Sequence, residues 1–200
     1  MEINIKRPVF IGAHPDDNII GCGGILSRLS QSSDEFHCYT FSCNNDSRRI
    51  EWETAMNYLK PTSKHLYAFK GDSLPDHRYE IRKTLEMIKK TINPDIIFTH
   101  SLNNIHQSHL ALVEETERIM RNVSILGHAE LKSGPRFVPN FFIELSREEL
   151  DEKLKLTAFH QSEKDKYFIQ PEVIEAVARY AGARIGVKYA EGFDILRIKV

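Results

Sequence analysis

The feature that most constrains this chain is an apolar run, Pro8–Ala13, that passes directly into His14-Pro15-Asp16-Asp17. A short run of β-branched and aromatic residues with no alternation reads as a buried strand, here Val9–Ala13. Such a strand needs neighbours and helical cover, and the chain supplies both. Phe36–Ser42, His65–Phe69 and Asp95–His100 read as further strands. The segment after Gly24, then Arg48–Leu59, Arg78–Thr91 and His109–Asn122, read as helices. Alternating strands and helices imply a mostly parallel sheet with helices on both faces. After that the pattern changes. A strand over Phe137–Leu145, helices over Arg147–Phe159 and Pro171–Ala181, and a terminal strand over Tyr189–Val200 suggest a C-terminal α+β elaboration of one domain spanning residues 1–200.

In an open α/β sheet, ligands bind at the carboxyl ends of the strands. The first strand ends on an imidazole and two carboxylates, which offer metal ligands together with a spare acid. The competing reading of Pro15-Asp16-Asp17 is a turn whose aspartate caps the next helix. The fourth strand ends in His100 and leads through Asn104-Ile105-His106-Gln107-Ser108-His109, which places two histidines three residues apart at a helix start. Taken singly these would be surface or capping residues. Together with His14 and Asp17 they can complete a His-Asp-His site, with His109 as a ligand and His106 beside a substrate carbonyl.

At these residues the chain resembles the LmbE-like (PIG-L) family of zinc-dependent de-N-acetylases. The family signature Ala-His-Pro-Asp-Asp, three variable positions and Gly-x-Gly-Gly matches Ala13 to Gly24, and a second signature aligns with Asn104–His109. Weaker similarities extend from Arg48-Arg49-Ile50-Glu51 through Lys153 and Ser162 to Tyr189-Ala190-Glu191-Gly192-Phe193. The resemblance implies a Rossmann-like sheet sandwiched by helices, with Zn2+ on His14, Asp17 and His109. It implies Asp16 as general base, His106 as support for the carbonyl oxygen and proton donor to the leaving amine, and Arg48 as a contact for substrate hydroxyls or phosphate. Two positions depart from the signature: Asn104 and Ser108 stand where the family has aspartates. Loss of a carboxylate beside an imidazole lowers its basicity or hands its orientation to another acceptor.

Composition bounds the rest. A net charge of −1 and no basic run argue against nucleic acid, and no apolar stretch approaches the ~20 residues of a membrane span. No apolar signal core follows Met1, and three loosely spaced cysteines fit a reducing, cytoplasmic setting. Gly21–Gly24 are expected to serve tight packing of the following helix. Cys22, Cys38, Cys43 and Trp52 are expected to pack, and His37, His65, His77 and His128 to lie at the surface or at strand ends. His100 is unassigned, and His160 reads equally as a substrate contact or a helix-end residue. The expected function is removal of an N-acetyl group from a small amino sugar or its conjugate. Its rivals are a hydratase on the same site and a sugar or nucleotide-sugar binding module. The oligomeric state stays open.

Overall fold

The computed structural model describes residues 5–69 and 74–199. The first strand, β1 (Pro8–Gly12), is fully buried, with Phe10 facing one side and Val9 and Ile11 the other. Alternate side chains leave a strand in opposite directions, so each face needs its own cover. On the first face, Ile19 and Leu26 of α1 (Asp17–Ser32) and Trp52 and Met56 of α2 (Asp46–Leu59) close over Phe10. On the second, Ile81, Leu85 and Ile88 of α3 (Arg78–Ile92) and Leu112 of α4 (Gln107–Ile119) close over Val9 and Ile11.

β2 (His37–Thr40), β3 (Ser63–Leu66), β4 (Ile96–His100) and β5 (Ser124–His128) run parallel to β1. Beyond β5, β7 (Ala190–Arg197) runs antiparallel and carries β6 (Phe141–Glu144) on its outer side. The sheet order is β3-β2-β1-β4-β5-β7-β6. The chain builds outward from β1 to β3 and then crosses to β4 on the other side of β1. That reversal opens a crevice at the carboxyl ends of β1 and β4, where α/β proteins bind ligands. α5 (Arg147–Thr157) packs on α1, and α6 (Pro171–Ala183) on β7, with Pro171 in the first turn as the sequence suggests.

Three expectations change. α1 begins at Asp17, so Gly21–Gly24 lie inside it rather than before it. The helix is broken at Cys22 (φ −146°, ψ 34°), which frees donors in mid-helix. Glu191 of β7 takes them: its two carboxylate oxygens accept from Gly24 N–H and Ile25 N–H at 2.9 Å each. Lys153 of α5 pairs with the same carboxylate at 2.7 Å. A Cβ on Gly24 would lie 2.6 Å from Leu145 Cδ1, and one on Gly23 3.0 Å from Lys153 Cγ, so these glycines do serve close packing. The second change is β5, which the apolar pattern does not announce because Gly127 and two polar residues flank only Ile125 and Leu126. The third is the set of histidines thought peripheral. His37 and His128 sit at strand ends but are buried, whereas His65 is exposed. Trp52, Cys22 and Cys38 pack as expected, and Cys43 is half-buried. Met1–Asn4, expected to lead into β1, and Val200, expected in the last strand, lie outside the described residues.

Lys153→Met removes one partner of a buried ion pair and leaves Glu191 uncompensated. That should cost about 3–5 kcal/mol in urea unfolding. A loss of only about 1 kcal/mol, the worth of an exposed pair, would contradict this role for Lys153.

Candidate active site

The last donors of β1 go to side chains instead of to the ladder. Ala13 N–H donates to His100 Nε2 at 3.0 Å, and His14 N–H donates to Asp17 Oδ2 at 2.6 Å. These bonds turn the chain and set His14 over the start of α1. Asp16 occupies the N-cap position of that helix, yet its side chain makes no capping bond. It is buried and bound by Arg48 of α2, whose Nη2 donates to Oδ1. Arg48 Nη1 lies 3.8 Å from Glu163, while its Nε is buried and unpartnered. The turn-and-cap reading of Pro15-Asp16-Asp17 therefore leaves the Asp16 carboxylate unexplained.

The other half comes from the loop between β4 and α4. Ser101 and Asn103 donate to Asp194 of β7, the latter at 3.0 Å. Asn104 Oδ1 accepts from His106 N–H at 2.9 Å, and Ile105 N–H donates to Ser133 O at 2.8 Å. His106 itself caps α4: its Nδ1 accepts from Ser108 N–H at 3.3 Å. Ser108 Oγ instead accepts from Leu74 N–H at 3.4 Å. The cap of α4 is thus an imidazole, and the neutral His106 ring carries its proton on Nε2.

Five histidine rings meet between the two halves, His128 joining them through His100 at 5.2 Å between centroids. His100 and His109 stack at 3.8 Å between centroids, His106 and His109 at 4.4 Å, and His14 meets His106 edge-on at 4.9 Å. Several triplets of ligand-type atoms arise among them. Hydrogen bonding sorts these. His106 Nδ1 is committed to Ser108 N–H, and His100 Nε2 to Ala13 N–H. His14 Nδ1, Asp17 Oδ2 and His109 Nε2 form a triangle with edges of 3.2, 3.4 and 3.2 Å. Tetrahedral zinc with nitrogen and oxygen ligands at about 2.0–2.1 Å has ligand–ligand edges of about 3.3–3.4 Å, so these residues fit such an ion.

Charge supports the same fit. Asp16, Asp17 and Glu130 are buried around the rings, and among the described residues only Asp16 of the three is paired with a permanent cation. Burial, reinforced by the neighbouring Asp17 charge, raises the Asp16 carboxyl above the ordinary carboxylate range. Burial also pushes Asp17 upward, but the fields of His109, His14 and His100 outweigh it and hold Asp17 well below that range. His109 is driven down to about 3, first by burial and then by His100. Burial, with His14 beside it, lowers His106 too.

All six residues expected at the site therefore converge: His14, Asp16, Asp17, Arg48, His106 and His109. Sequence reasoning missed His100, His128 and Glu130. His128 reaches the cluster because Gly21 has no side chain; a Cβ there would lie 2.0 Å from His128 Nδ1. The only sequence signal for Glu130 was its place just after an unrecognised strand.

A sheet reversing at β1, with ligand-type residues and a spare carboxylate at the strand ends, is an α/β fold with its ligand-binding crevice at the switch point. The chain belongs to the PIG-L family, whose model, described as GlcNAc-PI de-N-acetylase, matches residues 9–120. Among curated proteins it is similar to the uncharacterized deacetylase YaiS of Escherichia coli, with 26% identity over 169 residues, 78% of this chain and 91% of that protein. The fold is similar to that of N,N'-diacetylchitobiose deacetylase from Pyrococcus horikoshii (TM-score 0.75, 21% identity, 96% of this chain and 84% of that one). It is also similar to GalB, the 4-carboxy-2-hydroxymuconate hydratase of Pseudomonas putida (TM-score 0.82, 16% identity, 98% of both chains). Among the described residues no helix is long and apolar enough to cross a membrane.

His160 lies behind Arg48, buried, with neither ring nitrogen hydrogen-bonded and Glu51 3.9 Å from Nδ1. Glu51 is engaged instead by Ser162, which donates its N–H at 2.6 Å and its hydroxyl at 2.7 Å. Burial lowers His160 from 6.5 to about 4, against the opposing pull of Glu51. A depressed histidine pKa means that the unfolded chain binds the proton first. Stability is then full above pH 6.5 and falls as pH drops toward 4. Between pH 7 and pH 5 the wild type should lose roughly 2 kcal/mol more than His160→Leu in urea unfolding. Equal losses in the two proteins would show that His160 protonates freely in the fold.

Proposed function

We propose that the protein is a zinc-dependent N-deacetylase of a small amino sugar or sugar conjugate, with His14, Asp17 and His109 as the metal ligands. The observation that carries this reading is the triangle of His14 Nδ1, Asp17 Oδ2 and His109 Nε2, with Asp16 next to it in sequence and committed only to Arg48. Zinc held there supplies Lewis acidity toward a carbonyl oxygen and lowers the pKa of water.

The chain's own residues perform the remaining tasks. Asp16, its Oδ1 held by Arg48, takes a proton from the attacking water on its other oxygen, and its raised affinity for protons suits that task. His106 donates Nε2–H to the amide carbonyl oxygen as negative charge develops there. Because His106 Nδ1 already accepts from Ser108 N–H, the neutral ring is a donor and not a proton shuttle. Asp16, now protonated, therefore returns the proton to the departing amine nitrogen. This moves the donor role that the resemblance gave to His106 onto Asp16. Arg48 stands beside Asp16 with 18% of its side chain exposed, placed to meet substrate hydroxyls. Amino-sugar chemistry is supported by the family description and by the chitobiose deacetylase, whose fold this chain shares. A reducing, cytoplasmic setting is supported by three cysteines that are all free.

The GalB hydratase fold supports one rival reading, addition of water to an unsaturated acid at the same residues. Incubation with N-acetylated amino sugars and their conjugates should release free acetate, and chelation should stop it. Acetate absent throughout, with water added to an unsaturated acid, would favour the hydratase. Asp16→Asn should keep zinc and lose about 10²–10⁴-fold in turnover, the usual size of a proton-transfer contribution. Asp17→Asn should lose zinc. The opposite pattern would exchange the two roles.

A further inference from the structure

Four of the buried side-chain atoms without a hydrogen-bond partner gather at one place: Nδ1 of His100, His109 and His128, and Oε1 of Glu130. Glu130 Oε1 lies 3.7 Å from His100 Nδ1 and 3.6 Å from His128 Nδ1. Glu130 Oε2 accepts from Ser133 Oγ and lies 3.5 Å from His109 Nδ1. Ser133 Oγ in turn accepts from Asn104 Nδ2 at 3.3 Å.

His100, His128 and Glu130 have the composition of a cation site, but the backbone argues against one. His100 Nε2 lies 3.0 Å from Ala13 N–H and 3.2 Å from Asp17 Oδ2; the backbone amide can only donate, so it takes the Nε2 lone pair and leaves the proton of neutral His100 on Nδ1. That nitrogen faces Glu130 with a hydrogen and not with a lone pair. A cation could bind there only if the ring lost both protons.

The geometry points to Glu130 as the positioning residue of the site: its carboxylate takes Nδ1–H from both His109 and His100 and so aims the His109 Nε2 lone pair at Asp17 and His14. The separations are a few tenths of an ångström beyond a hydrogen bond, a gap that small ring rotations close. A histidine that ligates through one nitrogen is normally fixed by an acceptor on the other. Among the described residues His109 Nδ1 has no hydrogen-bond partner. The contact also makes sense of Asn104. Its amide donates to Ser133 and leaves Glu130 as the one negative charge there, where an aspartate would add a second.

This inference rests on His109 being a metal ligand, so the test has one arm without metal. In the folded, metal-free wild type, histidine-selective nitrogen NMR should show His109 and His100 as Nδ1–H tautomers. In Glu130→Gln the His109 signal should lose that single tautomer, and zinc affinity, read by chelator competition, should fall about 10–100-fold. His109 found as Nε2–H in the wild type would overturn the assignment without any variant having to fold. Unchanged zinc affinity in a folded Glu130→Gln would do the same. So would a second zinc equivalent that disappears in His128→Asn. Wild type with the expected tautomers that binds no zinc supports the Glu130 contact and overturns the ligand assignment instead.

Discussion

The site depends on how the central strand stops. β1 is paired on both edges by parallel neighbours, and the donors beyond its last residue must find acceptors in the interior. They find side chains, His100 and Asp17, and those two bonds fix where both halves of the site can be. Asp17 is drawn back under His14, which forces α1 to begin at once and leaves Asp16 at its N-cap position with a side chain that makes no capping bond. His100 is locked in one tautomer and stacks on His109, so the second half of the site is registered on the same peptide. An unsatisfied backbone donor in an interior is costly, so these contacts are more than incidental.

The C-terminal elaboration is tied into this centre and does not merely extend the sheet. Asp194 holds the loop that carries His106, and Glu191 completes the broken first helix. Both come from β7, three residues apart and so from opposite faces of the strand. Residues matched by the family model end at 120, yet two of the contacts that shape the site lie more than seventy residues later.

Much of this was legible in the sequence because it is local. An apolar run followed by His-Pro-Asp-Asp is a strand and its exit, and Ile81, Leu85 and Ile88 at helical spacing mark α3 wherever it packs. The strand at Ser124–His128 was not legible, since a glycine and polar ends break its pattern while neighbours on both sides bury it. With it went His128, expected at the surface or at a strand end, and Glu130, which nothing in the sequence singles out. The glycines were read correctly as packing devices but placed before the helix, because nothing near them announces the acceptor that permits the break. After the fourth strand, His106 takes both a capping place, which it could have had alone, and a place among the other site residues, which only the fold shows. For the strand and for the glycines the decisive partner is distant along the chain.

That distance has a consequence for the order in which the molecule is made. The first helix emerges early in synthesis, yet the carboxylate that completes it follows 167 residues behind Gly24. At ~5–20 residues per second the nascent chain waits many seconds with its opening helix interrupted and two donors left to water. The first strand and its exit turn can form in that interval, but the kink at Cys22 has nothing to close it. A late strand therefore seals an early helix, and the whole centre can exist only once β7 has been made.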